Sequence, residues 1–245
     1  MDSKKYFITG LNNSLSLLSS KNKLVKSIFI MKNSIASKNE KINKYLNNYN
    51  NKIFYLDREE FDKRYDPKRS QGIAIYLRSS VVKNINNCDF SKKKSCYIIL
   101  DQINDPQNLG QIIRTCECAG IDGIILPKHG SVHITNTVLQ VSQGAFVNID
   151  LFIVTNINDT IKDMKKEGFW VIGIENSINA KQWYEMDYKD KICIVFGSEG
   201  KGIRSLVKKS CDFMATIPML GKINSLNVSA TISAIIFERQ RQLSE

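Results

Sequence analysis

With 245 residues, 42% of them hydrophobic, and a formal charge of +11, the chain is long enough to bury one large core or two small ones, and basic enough to favour a polyanionic partner. No apolar run approaches the roughly 18 residues of a membrane span, and the start, Met1 to Gly10, lacks the apolar core of an export signal. The expectation is a cytoplasmic protein with no membrane partner. Six cysteines (Cys88, Cys96, Cys116, Cys118, Cys193, Cys211) form no CxxC pair, which argues against zinc or a redox motif and for reduced core thiols.

Residues 1–77 alternate short apolar runs with helical patterns: strands at Tyr6–Ile8, Ile28–Ile30, Ile53–Leu56 and Gly72–Leu77, with helices near 13–18, 39–49 and 58–65. That order predicts a small α/β sandwich. Residues 78–95 carry Ser-Ser, Asn-rich and Lys-Lys-Lys stretches with little periodicity and are expected to be a linker. Lys92, Lys93 and Lys94 can touch phosphate or simply line a solvated loop.

Charge divides at the same place. Residues 1–94 hold 20 Lys and Arg against 8 Asp and Glu, a net of +12, whereas residues 95–245 hold 15 against 16. A basic module beside a near-neutral one suggests polyanion capture in the first and chemistry in the second; the plainer reading is a solvated surface in a Lys/Asn-rich chain.

From residue 96 the apolar runs become longer. Strands are expected at 97–100, 121–126, 151–154, 169–174, 192–196 and 213–218, with helices from Asp105–Pro106 to Gly120 and near 136–146, 158–167, 203–209 and 227–242. Asp105 suits a helix cap and Pro106 the first helical position, while Ile112, Ile113, Cys116 and Ala119 share one face. Short, wholly apolar strands between helices predict a parallel sheet covered on both faces.

Three motifs stand outside that packing logic: Asn108-x-Gly110-x-x-x-Arg114, Phe196-Gly-Ser-Glu-Gly-Lys-Gly202 after an apolar strand, and Ile217-Pro-Met-Leu-Gly-Lys-Ile-Asn-Ser-Leu-Asn-Val-Ser229 before the last helix. The glycines at 197–202 fit neither the dinucleotide nor the P-loop fingerprint and by themselves are equally a tight turn before a helix. In this order, over about the last 150 residues, the three resemble the motifs of the SpoU-type (TrmH-like) RNA 2′-O-ribose methyltransferases.

The resemblance implies a SPOUT domain over 96–245 with a deep trefoil knot, preceded by a ribosomal-protein-like RNA substrate-binding domain over 1–77. The front resemblance is loose, with Ser70-Gln71-Gly72 where relatives often carry His-Gln-Gly. It also implies an S-adenosylmethionine-dependent enzyme that works as a homodimer on RNA without a metal, of the kind that methylates a guanosine in 23S rRNA. A tRNA guanosine enzyme of the same family is the alternative; from another class, so is a non-catalytic RNA-binding or ribosome-assembly protein. Cofactor contacts fall by resemblance at Gly197, Gly202, Ile217, Met219 and Leu226, largely through backbone.

The resemblance places catalysis at Arg114, with Asn108, Glu199, Ser225 and Asn227 as the other polar positions. The family assigns hydroxyl activation to the arginine. A guanidinium is a poor base, so the physical preference is that Arg114 grips a phosphate beside the target ribose. Asn227 is equally the cap of the last helix. Val141-Ser-Gln-Gly-Ala145 resembles the family's SxGA segment, with Val147 in place of its glutamate, and no catalytic role is assigned there. His129 and His133 have no partners at metal-binding spacing.

Overall fold

The computed structural model describes residues 6–20, 24–78, 81–176 and 180–245. Residues 1–5 of the amino-terminal stretch and Ser79 and Ser80 of the expected linker lie outside the described residues. The chain divides into two compact units, Met1–Val81 with Ile134–Asn148, and Val82–His133 with Ile149–Glu245.

In the first unit, β1 (Phe7–Thr9), α1 (Leu11–Ser19), β2 (Val25–Met31), α2 (Glu40–Leu46), β3 (Ile53–Leu56), α3 (Arg58–Asp62), α4 (Pro67–Ser70) and β4 (Ile73–Leu77) follow in chain order. The sheet runs β1-β4-β2-β3, with β4 antiparallel to both its neighbours and β2 parallel to β3. Ile8, Ile28, Ile30, Ile73 and Ile75 are wholly buried, as are Leu17 and Leu18 of α1 and Ile42 of α2. Asn39, Asp57 and Asp66 each cap the helix that follows through a side-chain oxygen, which starts the three short helices. The expected helix at 58–65 is cut short: α3 stops at Asp62, and Tyr65 packs against Phe61, ring centroids 4.7 Å apart.

The second unit opens with β5 (Val82–Lys83), then β6 (Cys96–Leu100), α5 (Pro106–Cys118) and β7 (Gly123–Pro127). After α6 (Asn136–Val141), which belongs to the first unit, come β8 (Asp150–Val154), α7 (Ile157–Lys166), β9 (Trp170–Ile174), β10 (Lys181–Gln182), β11 (Ile192–Phe196), α8 (Ser205–Ser210), β12 (Phe213–Thr216) and α9 (Val228–Ser244). Every pairing in the sheet β10-β12-β9-β11-β6-β7-β8-β5 is parallel. All five residues of β6, β7 and β11 are buried, as a sheet covered on both faces requires. The late strand β11 lies between β9 and β6, so the chain returns to the middle of the sheet and sets the loop after β11 beside the ends of β6 and β9.

Two stretches depart from the pattern expected of them. Within 78–95, Val82 and Lys83 pair with Leu151 and Phe152, so part of the expected linker is an edge strand. The helix expected over 136–146 ends at Val141, because Gln143 and Gly144 both take left-handed backbone, φ 53° and 87°.

The segment 134–148 packs with residues 1–81 through side-chain amides. Asn136 Oδ1 accepts from Phe7 N (3.1 Å), and Gln140 Oε1 accepts from Thr9 N (3.0 Å) while its Nε2 donates to Thr9 O (2.9 Å). Four residues along a helix span about the same 6 Å as two along a strand. One turn of α6 thus satisfies the outward groups of an edge strand that would otherwise be open. Gly144 fits against Ser16, whose hydroxyl donates to its carbonyl at 3.0 Å.

None of the six cysteines is in a disulfide; Cys96, Cys116 and Cys193 are buried. Burial pushes the Cys96 and Cys211 thiols up to about 12 and those of Cys116 and Cys193 well above the ordinary range, which leaves them inert as nucleophiles.

Candidate functional site

Four loops at the carboxyl ends of β6, β9, β11 and β12 converge, the position where open α/β sheets place ligands. The loop after β11 is tight. Ser198 and Gly202 exchange backbone hydrogen bonds of 3.2 and 3.0 Å, and a Cβ on Gly197 would collide with the Gly202 carbonyl group. Gly200 and Gly202 have φ of 88° and 67°, which glycine adopts freely.

Two carboxylates hold the exit of this loop. Asp101, wholly buried at the end of β6, accepts from Arg204 N (2.9 Å) and Arg204 Nε (2.8 Å) and pairs with Nη2 at 2.8 Å. Glu175, which follows β9, accepts from Ile203 N at 3.2 Å and pairs with Lys208 of α8. Asp101→Ala removes a buried carboxylate whose Oδ1 takes two guanidinium nitrogens and whose Oδ2 takes a backbone N–H. Because the Arg204 side chain is 45% exposed and can turn to water, the expected loss is about 2–3 kcal/mol, read from urea unfolding; an unchanged midpoint would mean that the pair does not brace the loop.

A cavity of about 520 Å³ opens over these loops, lined by Ile174, Glu175 and Asn176 after β9, by 196–202 with Lys208, and by Ile217, Met219, Asn224, Ser225, Leu226, Val228 and Thr231. Its size lies within the usual range of small-molecule sites. Beside it, Glu199 Oε1 collects three donors: Asn108 Nδ2 (3.1 Å), Asn227 Nδ2 (2.8 Å) and Val228 N (3.2 Å). Asn227 Nδ2 also donates to Asn108 Oδ1 (3.0 Å), and its own Oδ1 caps α9 by accepting from Ser229 N (2.9 Å). Ser229 Oγ donates to Gln111 Oε1 at 3.1 Å, a second tie from α9 to α5. A carboxylate at the amino end of α9 is also stabilised by the helix dipole.

The structure thus places Asn108, Glu199 and Asn227 in one network, and Gly197, Gly202, Ile217, Met219, Ser225 and Leu226 on the cavity wall. Arg114 belongs to neither group. It is exposed on α5, six residues beyond Asn108, and has no hydrogen-bond or ion-pair partner among the described residues. His129 and His133 are exposed, and no group of three metal-binding side chains occurs among the described residues. Glu175, Asn176, Lys208, Asp101 and Arg204 were not singled out from sequence. An acidic residue directly after an apolar strand, as at Leu100-Asp101 and Ile174-Glu175, is the signal that marks two of them.

The sequence model of the SpoU rRNA methylase family matches residues 95–237, more than half of the chain. The chain belongs to that family. A second model, for the substrate-binding domain of RNA 2′-O-ribose methyltransferases, matches residues 7–80. Among curated relatives, the Bacillus subtilis protein described as a putative TrmH family tRNA/rRNA methyltransferase, YacO, is 30% identical over 246 residues, covering 99% of this chain and 98% of the relative. Among solved structures, the AdoMet-bound rRNA methyltransferase from Sinorhizobium meliloti superposes with a TM-score of 0.82 at 20% identity, over 98% of this chain and 88% of that one. The A. aeolicus TrmH/SpoU tRNA modifying enzyme superposes with a TM-score of 0.57 at 25% identity, over 62% of this chain and 77% of that one. This SpoU family member has the α/β fold of the SPOUT class, with a parallel eight-stranded sheet in the unit that follows the substrate-binding domain in sequence.

Proposed function

We propose that this family member transfers a methyl group from S-adenosylmethionine to a ribose 2′-hydroxyl of RNA, specifically a guanosine of 23S rRNA. The observation that carries the reading is the cavity over the 197–202 and 217–227 loops with the Asn108–Glu199–Asn227 network at its side. The residues present suit the cofactor: Ile174, Phe196, Ile217, Met219 and Leu226 offer apolar surface to an adenine, and glycines at 197, 200 and 202 leave backbone groups approachable. When bound, the cofactor would supply an electrophilic sulfonium methyl for the ribose oxygen, whose proton would pass to solvent.

Arg114, exposed and with no side-chain partner among the described residues, grips a phosphate next to the target ribose and favours the ionised hydroxyl electrostatically. Asn108 and Asn227, held by Glu199, fix the start of α5 against that of α9, and Ser225 on the cavity wall faces the nucleotide. Residues 1–77 serve as the RNA-binding domain, 78–95 as the connection, which lends Val82 and Lys83 to the second sheet, and 96–245 as the methyltransferase domain, of which 134–148 pack with the first unit.

The preference for rRNA over tRNA is supported by the reach of the resemblance: the rRNA enzyme matches both units, the tRNA enzyme 62% of the chain. Incubation with tritiated S-adenosylmethionine and separated rRNA and tRNA, followed by mapping of ribose methylation, tests it. Label on tRNA alone would replace the rRNA reading, and label on neither would leave an RNA-binding protein that keeps the fold.

Two further parts of the reading are open to measurement. Leu220 (98% exposed), Ile223 (76%) and Phe237 (50%) are large apolar side chains left in solvent, as a homodimer would use; light scattering should give twice the chain mass, and Leu220→Asp with Ile223→Asp should shift it towards one. On this reading the enzyme works in the cytoplasm, where its RNA is; separately, no described helix is long and apolar enough to cross a membrane.

RNA capture is assigned to the basic front of the chain. Lys32, Lys38, Lys41 and Lys44 are exposed and unpaired among the described residues. Changing all four to Gln should weaken RNA binding and flatten its salt dependence by about 0.7 in slope per lost contact to single-stranded phosphate. An unchanged slope would mean that these charges only solvate the surface.

A further inference from the structure

The cavity has a charged corner that the reading above leaves unused. Glu175 and Lys208 both line it and pair with each other, their side chains 18% and 41% exposed. Neither is saturated. A carboxylate offers about four acceptor sites, and an ammonium three donors. Among the described residues, Glu175 receives only Ile203 N and Lys208, and the Lys208 ammonium donates only to Glu175.

The carboxylate is held firmly. Ile203 N fixes one oxygen, Lys208 the other, and Gly202 leaves room for it, since a Cβ there would collide with Glu175 Oε1. The other charged side chains on the wall, Glu199 and Lys201, are exposed, and Glu199 is engaged with Asn108, Asn227 and Val228. Glu175 and Lys208 therefore form the one ion pair on the wall among the described residues.

An anion and a cation fixed side by side match a ligand that carries the opposite pair side by side, and an α-amino acid has an ammonium and a carboxylate on one carbon. Resting on the assignment of the cavity to S-adenosylmethionine, we propose that Glu175 and Lys208 recognise the amino-acid end of the cofactor, Glu175 taking its ammonium and Lys208 its carboxylate. The apolar wall then serves the adenosine end, and the two ends of the ligand are read by separate parts of the cavity.

The alternative is a strut that joins α8 to the end of β9, and ligand chemistry separates the two. S-Adenosylhomocysteine carries the amino-acid end; 5′-methylthioadenosine has the same adenosine and thioether with a methyl in its place. Calorimetry on the full-length protein should show both binding, the first more tightly. In Glu175→Gln/Lys208→Met, S-adenosylhomocysteine should weaken about tenfold to a hundredfold, as loss of charged hydrogen bonds implies, while methylthioadenosine keeps its affinity. Methylthioadenosine thereby reports whether the variant still folds its cavity. If the ratio of the two affinities is the same in variant and wild type, whether both fall or neither does, the pair is a strut and the proposal is overturned. Equal affinities in the wild type would overturn it while leaving the cavity assignment standing; wild-type protein that binds neither ligand would remove both.

Discussion

Arg114→Ala should lower the rate of methyl transfer about 10²–10⁴-fold, the range for loss of one electrostatic or proton-transfer group at a reacting centre, while S-adenosylhomocysteine affinity and unfolding midpoint stay close to wild type. The second half follows from position: Arg114 is exposed, makes no polar contact among the described residues, and does not line the cavity. Its substitution removes nothing from the core or the cofactor wall. Arg114→Lys then distinguishes two roles. A lysine keeps a cation for phosphate but loses the planar fork, so partial recovery identifies phosphate gripping; recovery that rises with pH only as the lysine loses its proton would identify a base. Near-normal turnover in Arg114→Ala would take the residue out of catalysis altogether. Single-turnover assays with saturating RNA are the appropriate measurement, because they separate the chemical step from RNA affinity.

Parts of this architecture are visible in the sequence because they are local. The strand at Ile192–Phe196 is an unbroken apolar run, and α5 carries its own start signals, Asp105 accepting from Gln107 N and Pro106 in the first turn. Gly120, with φ 64°, follows its end. What escapes is whatever depends on pairing at a distance. Nothing near residue 192 says that β11 enters between β9 and β6, and the two-residue strands β5 and β10 have no periodicity to detect. Residues 136–146 read as one helix of the second domain; they are broken by the left-handed Gln143 and Gly144, and Asn136 and Gln140 gain their role only once β1 is opposite them.

The site divides in the same way. The glycine-rich loop and the 217–227 stretch are legible as motifs, and resemblance marks Asn108, Glu199 and Asn227 as polar positions. That those three share one network, across 91 and 28 residues of chain, is a tertiary fact. Glu175 and Asp101 carry no motif at all. Each is an acid just past an apolar strand, and its partner, Lys208 or Arg204, lies 33 or 103 residues further on.

Gly197→Ala should abolish measurable cofactor binding, with S-adenosylhomocysteine affinity down about 100-fold or more, as displacement of a binding loop by about 1 Å implies. The cause is collision rather than conformation, since Gly197 does not have a positive φ. A methyl there meets the carbonyl carbon and oxygen of Gly202 and the nitrogen of Ile203, all backbone, so no rotamer change relieves it. The loop must open, which strains the paired Ser198–Gly202 hydrogen bonds and the Ile203 N contact to Glu175. Overpacking of this kind costs about 1–3 kcal/mol of stability, so the protein should remain folded and the loss of binding should be specific. Gly200→Ala is the matched comparison. Its φ of 88° makes alanine unfavourable by about 1 kcal/mol, yet a methyl there has nothing within 4 Å, so binding should survive a similar loss of stability. Calorimetry and urea unfolding on both variants decide the matter: if Gly197→Ala binds S-adenosylhomocysteine as Gly200→Ala does, the 197–202 loop does not form the cofactor wall.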